Sequence, residues 1–129
     1  MLPHRTPAQL LVIARQGLAD ARETRSDGMR YAGAHLAALR AAAAVLGARA
    51  KPDPERRRRP TVSVWVLLAE VAPEFGDWAT YFAGTSTKRA AAEAGIPRTV
   101  TAQEADDLLD AAGQFVDVVS SSLGFGEAS

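Results

Sequence analysis

Arg30 and His35 stand five residues apart in the stretch Arg30-Tyr-Ala-Gly-Ala-His35-Leu-Ala-Ala-Leu-Arg40. An arginine carries a fixed positive charge, and a histidine is the side chain whose charge changes near neutral pH. Side by side, such a pair could move a proton next to a stabilised anion. On a helix, however, five steps of 100° leave the two side chains about 140° apart. They can cooperate only if a loop, another helix or a second subunit brings a partner to each. The competing expectation for a lone histidine at the edge of an apolar seam is a packed residue with one hydrogen bond. The other histidine, His4, lies near the start of the sequence.

Three further clusters have residue types suited to chemistry. Asp106-Asp-Leu-Leu-Asp110 matches the Asp-Asp-x-x-Asp pattern by which prenyl-transferring enzymes hold magnesium-bound diphosphate, and Asp106 and Asp110 share a helix face. Those enzymes need a larger helical cavity and a second acidic cluster, so a solvated stripe near a helix start is the expectation here. Arg56, Arg57, Arg58 and Arg59 are consecutive and could bind the phosphates of RNA or DNA in a salt-sensitive, sequence-blind way, or simply form a solvated loop. Gly84-Thr-Ser-Thr-Lys88 looks like a shortened phosphate loop without its second glycine or its preceding strand. Neither a metal site nor a cofactor is expected from these residues.

The elements that must position them are helical. Thr6-Pro7-Ala8-Gln9 combines a capping threonine, a proline at the first helical position and a glutamine that can close a capping box. The helix it starts runs to about Thr24, with a seam at Leu11, Ala14, Leu18 and Ala21. A second helix over about 27–50 has two apolar faces. One is a seam of Met29, Ala32, Leu36, Leu39, Ala43, Leu46 and Ala50; the opposite one is mostly alanine, with Arg30 at its end. Such a helix should be doubly packed, within a bundle or across a dimer. Residues 51–62, with three prolines and four adjacent arginines, read as a linker. Ser63 caps a third helix to about Ala72, and Pro73 kinks it or starts a new turn. Phe75, Trp78, Tyr81 and Phe82 then form a core-facing aromatic stripe. A short alanine-rich helix ends at Gly95, and Thr101-Ala-Gln-Glu104 is a second capping box opening the last helix.

A chain of 129 residues without strand alternation fits one all-α domain, an up-down four-helix bundle with an extra short helix before the last long one and a core over about 7–123. With 47% hydrophobic residues but only 6% aromatic, that core must rest on close helix–helix contact. The absence of cysteine excludes disulfides and thiol chemistry, and with no secretion signal or unbroken apolar span, a cytoplasmic protein with no membrane contact is expected. The net charge of zero conceals an asymmetry. Residues 1–60 carry twelve basic and five acidic side chains, and residues 61–129 carry three basic and ten acidic ones. The halves either interleave and cancel or support association through opposite faces.

The Arg30–Ala50 helix, the arginine-rich linker leading to Ser63-Val-Trp-Val-Leu-Leu68, and Ala102-Gln-Glu-Ala-Asp-Asp-Leu-Leu-Asp-Ala-Ala112 together resemble HEPN domains (higher eukaryotes and prokaryotes nucleotide-binding), and more narrowly a small actinobacterial branch of them. The likeness runs from about Pro7 to Leu123. It implies an up-down helical bundle that commonly dimerises. Many HEPN proteins are metal-independent ribonucleases whose motif is Arg, then four to six residues, then His, near the start of the last helix and facing its copy across the dimer. Here the loop before the last helix offers Arg98 with no histidine after it. Arg30 and His35 have the spacing but align with the second helix, where the family shows packing residues. Other members are inactive partners of nucleotidyltransferases or nucleic acid. The expected function is therefore a catalytically degenerate, homodimeric binding module that is more an interaction protein than an enzyme, contacting RNA or a protein partner. The alternative is a metal-independent ribonuclease using Arg30 and His35 across a dimer interface.

Overall fold

The structure, a computed structural model, describes residues 5–49 and 63–125. The linker read over 51–62, with Arg56–Arg59, lies outside the described residues, as does His4. The described chain forms α1 (Pro7–Arg22), α2 (Asp27–Arg49), α3 (Val64–Val71), a 3₁₀ turn (Pro73–Phe75), α4 (Gly76–Glu93) and α5 (Ala102–Ser122). It is an all-α bundle, and no strand occurs among the described residues.

Both expected capping boxes are formed. Thr6 Oγ1 accepts from the Gln9 amide at 3.1 Å while the Gln9 side chain accepts from the Thr6 amide, and Thr101 and Glu104 do the same at the start of α5. Ser63 caps α3 through the amides of Trp65 and Val66. Gly95, at φ +78°, ends α4 in a Schellman turn: its amide bonds Ala92 O and the Ile96 amide bonds Ala91 O.

The segment Gly84–Lys88 is interior to α4, so the alanine-rich helix is continuous with the aromatic segment and the short helix of the fold is α3. Two hydroxyls explain why the helix does not break there. Thr85 and Ser86 donate back to Phe82 O at 2.8 and 3.4 Å, which keeps these loop-favouring side chains inside the helical pattern. A glycine in that position costs only about 1 kcal/mol.

Packing buries one of the two apolar faces of α2 far more than the other. Ala34, Ala38, Ala41, Ala42 and Ala44 are wholly buried, whereas Met29 and Leu36 of the leucine seam are 53% and 45% exposed. Small side chains let α1, α4 and α5 approach the α2 backbone closely, and close approach decides which face turns inward. By length and composition α2 could cross a membrane, but 56% of that apolar window is buried inside the bundle. It is the central helix of the fold.

Aromatic side chains fill one end of the core. Phe115 from α5 lies 5.3–6.4 Å, centroid to centroid, from Phe82, Trp78, Phe75 and Trp65. Tyr81 alone of the expected stripe is exposed, at 43%.

The loop before α5 contains the one non-glycine residue with positive φ among those described, Arg98 at +62°. A left-handed backbone costs an L-residue about 1–2 kcal/mol. Arg98→Gly is expected to raise unfolding free energy by up to about 1 kcal/mol in chemical denaturation, the relief of strain being partly offset by a freer unfolded chain.

Candidate functional site

Arg30, in the first turn of α2, is drawn into a web of acceptors. Its Nη2 donates to Asp27 Oδ1 at 2.8 Å, its Nε to Asp106 Oδ1 at 3.1 Å and its Nη1 to Thr24 O at 3.1 Å. The side chain is 11% exposed. The bond to Asp27 chiefly holds the guanidinium charged; desolvation opposes this and Asp106 adds to it. Arg30 therefore clamps the α1–α2 loop to the start of α5, and its donors are spent inside the chain.

His35, little more than one turn later, points elsewhere. It has no exposed surface. Its Nε2 lies 3.2 Å from Phe82 O, and because a carbonyl only accepts, that nitrogen carries the proton. The ring meets Trp65 and Phe82 edge-on at 5.7 and 6.3 Å. Nδ1 has no partner. Burial pushes the imidazole pKa below its ordinary value, with the Phe82 bond opposing the shift and nearby Arg89 assisting it. His35 is thus a neutral core residue that ties α2 to α4. It shares no hydrogen-bond partner with Arg30, and their neighbours lie on different sides of α2, as the 140° divergence requires.

The aspartates of α5 are similarly distributed rather than gathered. Asp106 is held by Arg30, Asp107 accepts from Gln103 at 2.7 Å, and Asp110 lines two surface clefts. Among the described residues no group of three or more metal-ligating side chains converges.

A cleft of about 500 Å³ lies between α1 and α5. Arg15 and Arg22 line one wall and Asp110, Gln114 and Asp117 the other, with Gly113 opening the floor beside Arg22. Arg15 spans it, bonding Asp117 at 2.8 Å and the buried Ser120 hydroxyl at 3.1 Å. The bond has the same character as others that join the basic first half to the acidic second half: Arg30–Asp106, and Arg49 with Glu74. Arg49 also donates to Ser122 and sits 5.7 Å over the Phe75 ring. The two halves interleave at these points.

At the start of α5, Lys88 pairs with Glu104, whose carboxyl lies below the usual range chiefly because Lys88 donates to it. Tyr31, 5% exposed, has a raised pKa mainly through burial. The Lys88–Glu104 pair could not be foreseen from local sequence, since partners 16 residues apart leave no spacing signal.

A family model described as SAV_6107-like HEPN matches residues 21–120. The chain belongs to this HEPN family. No curated protein and no solved structure matches it significantly. The matched span of the HEPN domain takes in the Arg30 clamp, His35 and the aspartates of α5, while most of α1 precedes it. In the loop before α5, Arg98 is exposed, and the first turn of α5 contains Glu104 engaged by Thr101 and Lys88.

Proposed function

We propose that this HEPN domain is a homodimeric interaction module without ribonuclease activity of its own. The observation that carries the reading is the state of His35: no exposed surface, and its one protonated nitrogen on the Phe82 carbonyl. A general acid or base must come within hydrogen-bond reach of the proton it moves. His35 would have to leave the aromatic core to do so, and Arg30 would have to release both carboxylates. A symmetry mate cannot supply what neither group can reach.

The exposed apolar surface of α2 favours a protein surface as the main contact. An RNA contact would rest on Arg56–Arg59. In a cleavage assay, wild type, Arg30→Lys and His35→Gln are expected to leave single-stranded and structured RNA equally intact. Cleavage by wild type that is lost in either variant would overturn the reading. A mobility shift that weakens with salt and vanishes when Arg56–Arg59 are replaced by serine would instead establish RNA as a partner.

A further inference from the structure

Between Tyr31 and Ala48 the only permanently charged side chain of α2 is Arg40, although part of this helix faces outward. Met29 and Leu36 stand on that outward side. They border a groove of about 360 Å³ between α1 and α2, floored by Gly17, Gly33 and Ala37. Above Gly17 the space is open: a Cβ there would meet nothing within 4 Å. One face therefore offers protruding apolar side chains and a hollow that could receive such a side chain.

Two contacts fix the register of the hairpin. Ala21 Cβ lies 3.2 Å from where a Cβ on Gly33 would sit, and Pro7 Cγ lies 3.8 Å from that of Gly47. With α1 and α2 antiparallel, Gly17 is then level with Ala37, Asp20 with Ala34, and Arg40 with Ala14. Asp20 and Arg40, both lining the groove, are offset by about 9 Å along it at 1.5 Å per residue, with Gly17 midway. Neither side chain makes an ion pair among the described residues.

A two-fold axis through that midpoint, running across the two helices, lays α2 on its copy, brings the partner's Arg40 level with Asp20 and the partner's Asp20 level with Arg40, and sets the partner's Leu36 within one residue's rise, about 1.5 Å, of the level of Gly17. An interface between identical copies must be complementary to itself, so every knob, hollow and charge has to be on the same patch. We infer that the α1–α2 groove is the surface through which two copies of this chain associate, Leu36 of each entering at Gly17 of the other. The inference rests on the homodimer reading above and adds to it the face used. A bilayer would also cover an apolar helix face, but it would leave the Asp20 carboxylate unpaired at the lipid.

Light scattering and sedimentation across the micromolar range test this. Wild type is expected to dimerise. Gly17→Gln should weaken the dimer about tenfold or more by filling the hollow. Its helical circular dichroism should persist, because the position is open and glutamine is the better helix former. Asp20→Arg and Arg40→Asp should each weaken self-association, and an equimolar mixture of the two should restore a dimer, since one chain then carries two positive and the other two negative charges. A dimer indifferent to all three substitutions would overturn this face while leaving the homodimer reading in place. A monomeric wild type would overturn both, and wild type that remains monomeric but co-sediments with neutral phosphatidylcholine vesicles would assign the face to lipid instead.

Discussion

Phe115→Ala is expected to lower the unfolding free energy by about 3–5 kcal/mol, the range for removing a buried aromatic ring. Phe115 is fully buried and is the common neighbour of Trp65, Phe75, Trp78 and Phe82. Its removal opens a cavity where α3, the 3₁₀ turn, α4 and α5 meet, and the surrounding rings are too rigid to refill it. A domain of this size has about 5–15 kcal/mol in total, so the loss is a large share. Urea denaturation followed by tryptophan fluorescence measures it, because both tryptophans, Trp65 and Trp78, border the ring. Phe115→Leu should cost less than half as much, since it restores most of the volume. A loss below about 1 kcal/mol in Phe115→Ala would show that the ring does not organise this end of the core.

The second large effect belongs to His35. His35→Ala is expected to cost about 2–4 kcal/mol, from the cavity and the lost Nε2 bond. The cost stays in that range because Phe82 O keeps the Thr85 and Ser86 hydroxyls and is not left bare. The same histidine makes stability depend on pH. Its folded pKa lies below the ordinary value near 6.5, so below that pH the unfolded chain binds a proton that the native chain refuses. Stability is fully present above the unfolded pKa and declines as pH falls from there toward the folded pKa. The groups facing the ring include Arg89 and Glu93 of α4 and Trp65 of α3, and Arg89 reinforces the shift while Glu93 opposes it. His35→Gln keeps an N–H donor without a titrating ring. Its unfolding free energy should therefore change less between about pH 7.5 and pH 5.5 than that of wild type. Equal slopes would mean that His35 titrates normally.

Much of this was legible in local sequence, because the signals concerned are themselves local. Thr6 with Gln9 and Thr101 with Glu104 lie three residues apart, so each capping box can be read directly and sets a helix start. The aromatic stripe also declared its inward face by spacing, Tyr81 excepted. The angular divergence of Arg30 and His35 followed from the helical step alone, and His35 has the single hydrogen bond expected of a packed histidine.

What the sequence concealed was decided by tertiary contact. Both apolar faces of α2 are expected to pack, and residue spacing alone does not say which packs more closely. The buried alanines show that backbone approach mattered more. Gly84-Thr-Ser-Thr looked like a break because its hydroxyls could compete with the helix; they bond within it instead. The clamp partner Asp106 is 76 residues from Arg30, beyond any spacing rule.

On the function proposed, His35 is a core residue and not an acid or base. The most direct measurement is the ¹H–¹⁵N spectrum of the imidazole across the acidic to neutral range, with and without single-stranded RNA. A neutral ring protonated at Nε2 is expected near pH 7, still neutral below the ordinary histidine pKa and unchanged by RNA. A ring that titrates at the ordinary value, or whose nitrogens shift when RNA is added, would contradict it.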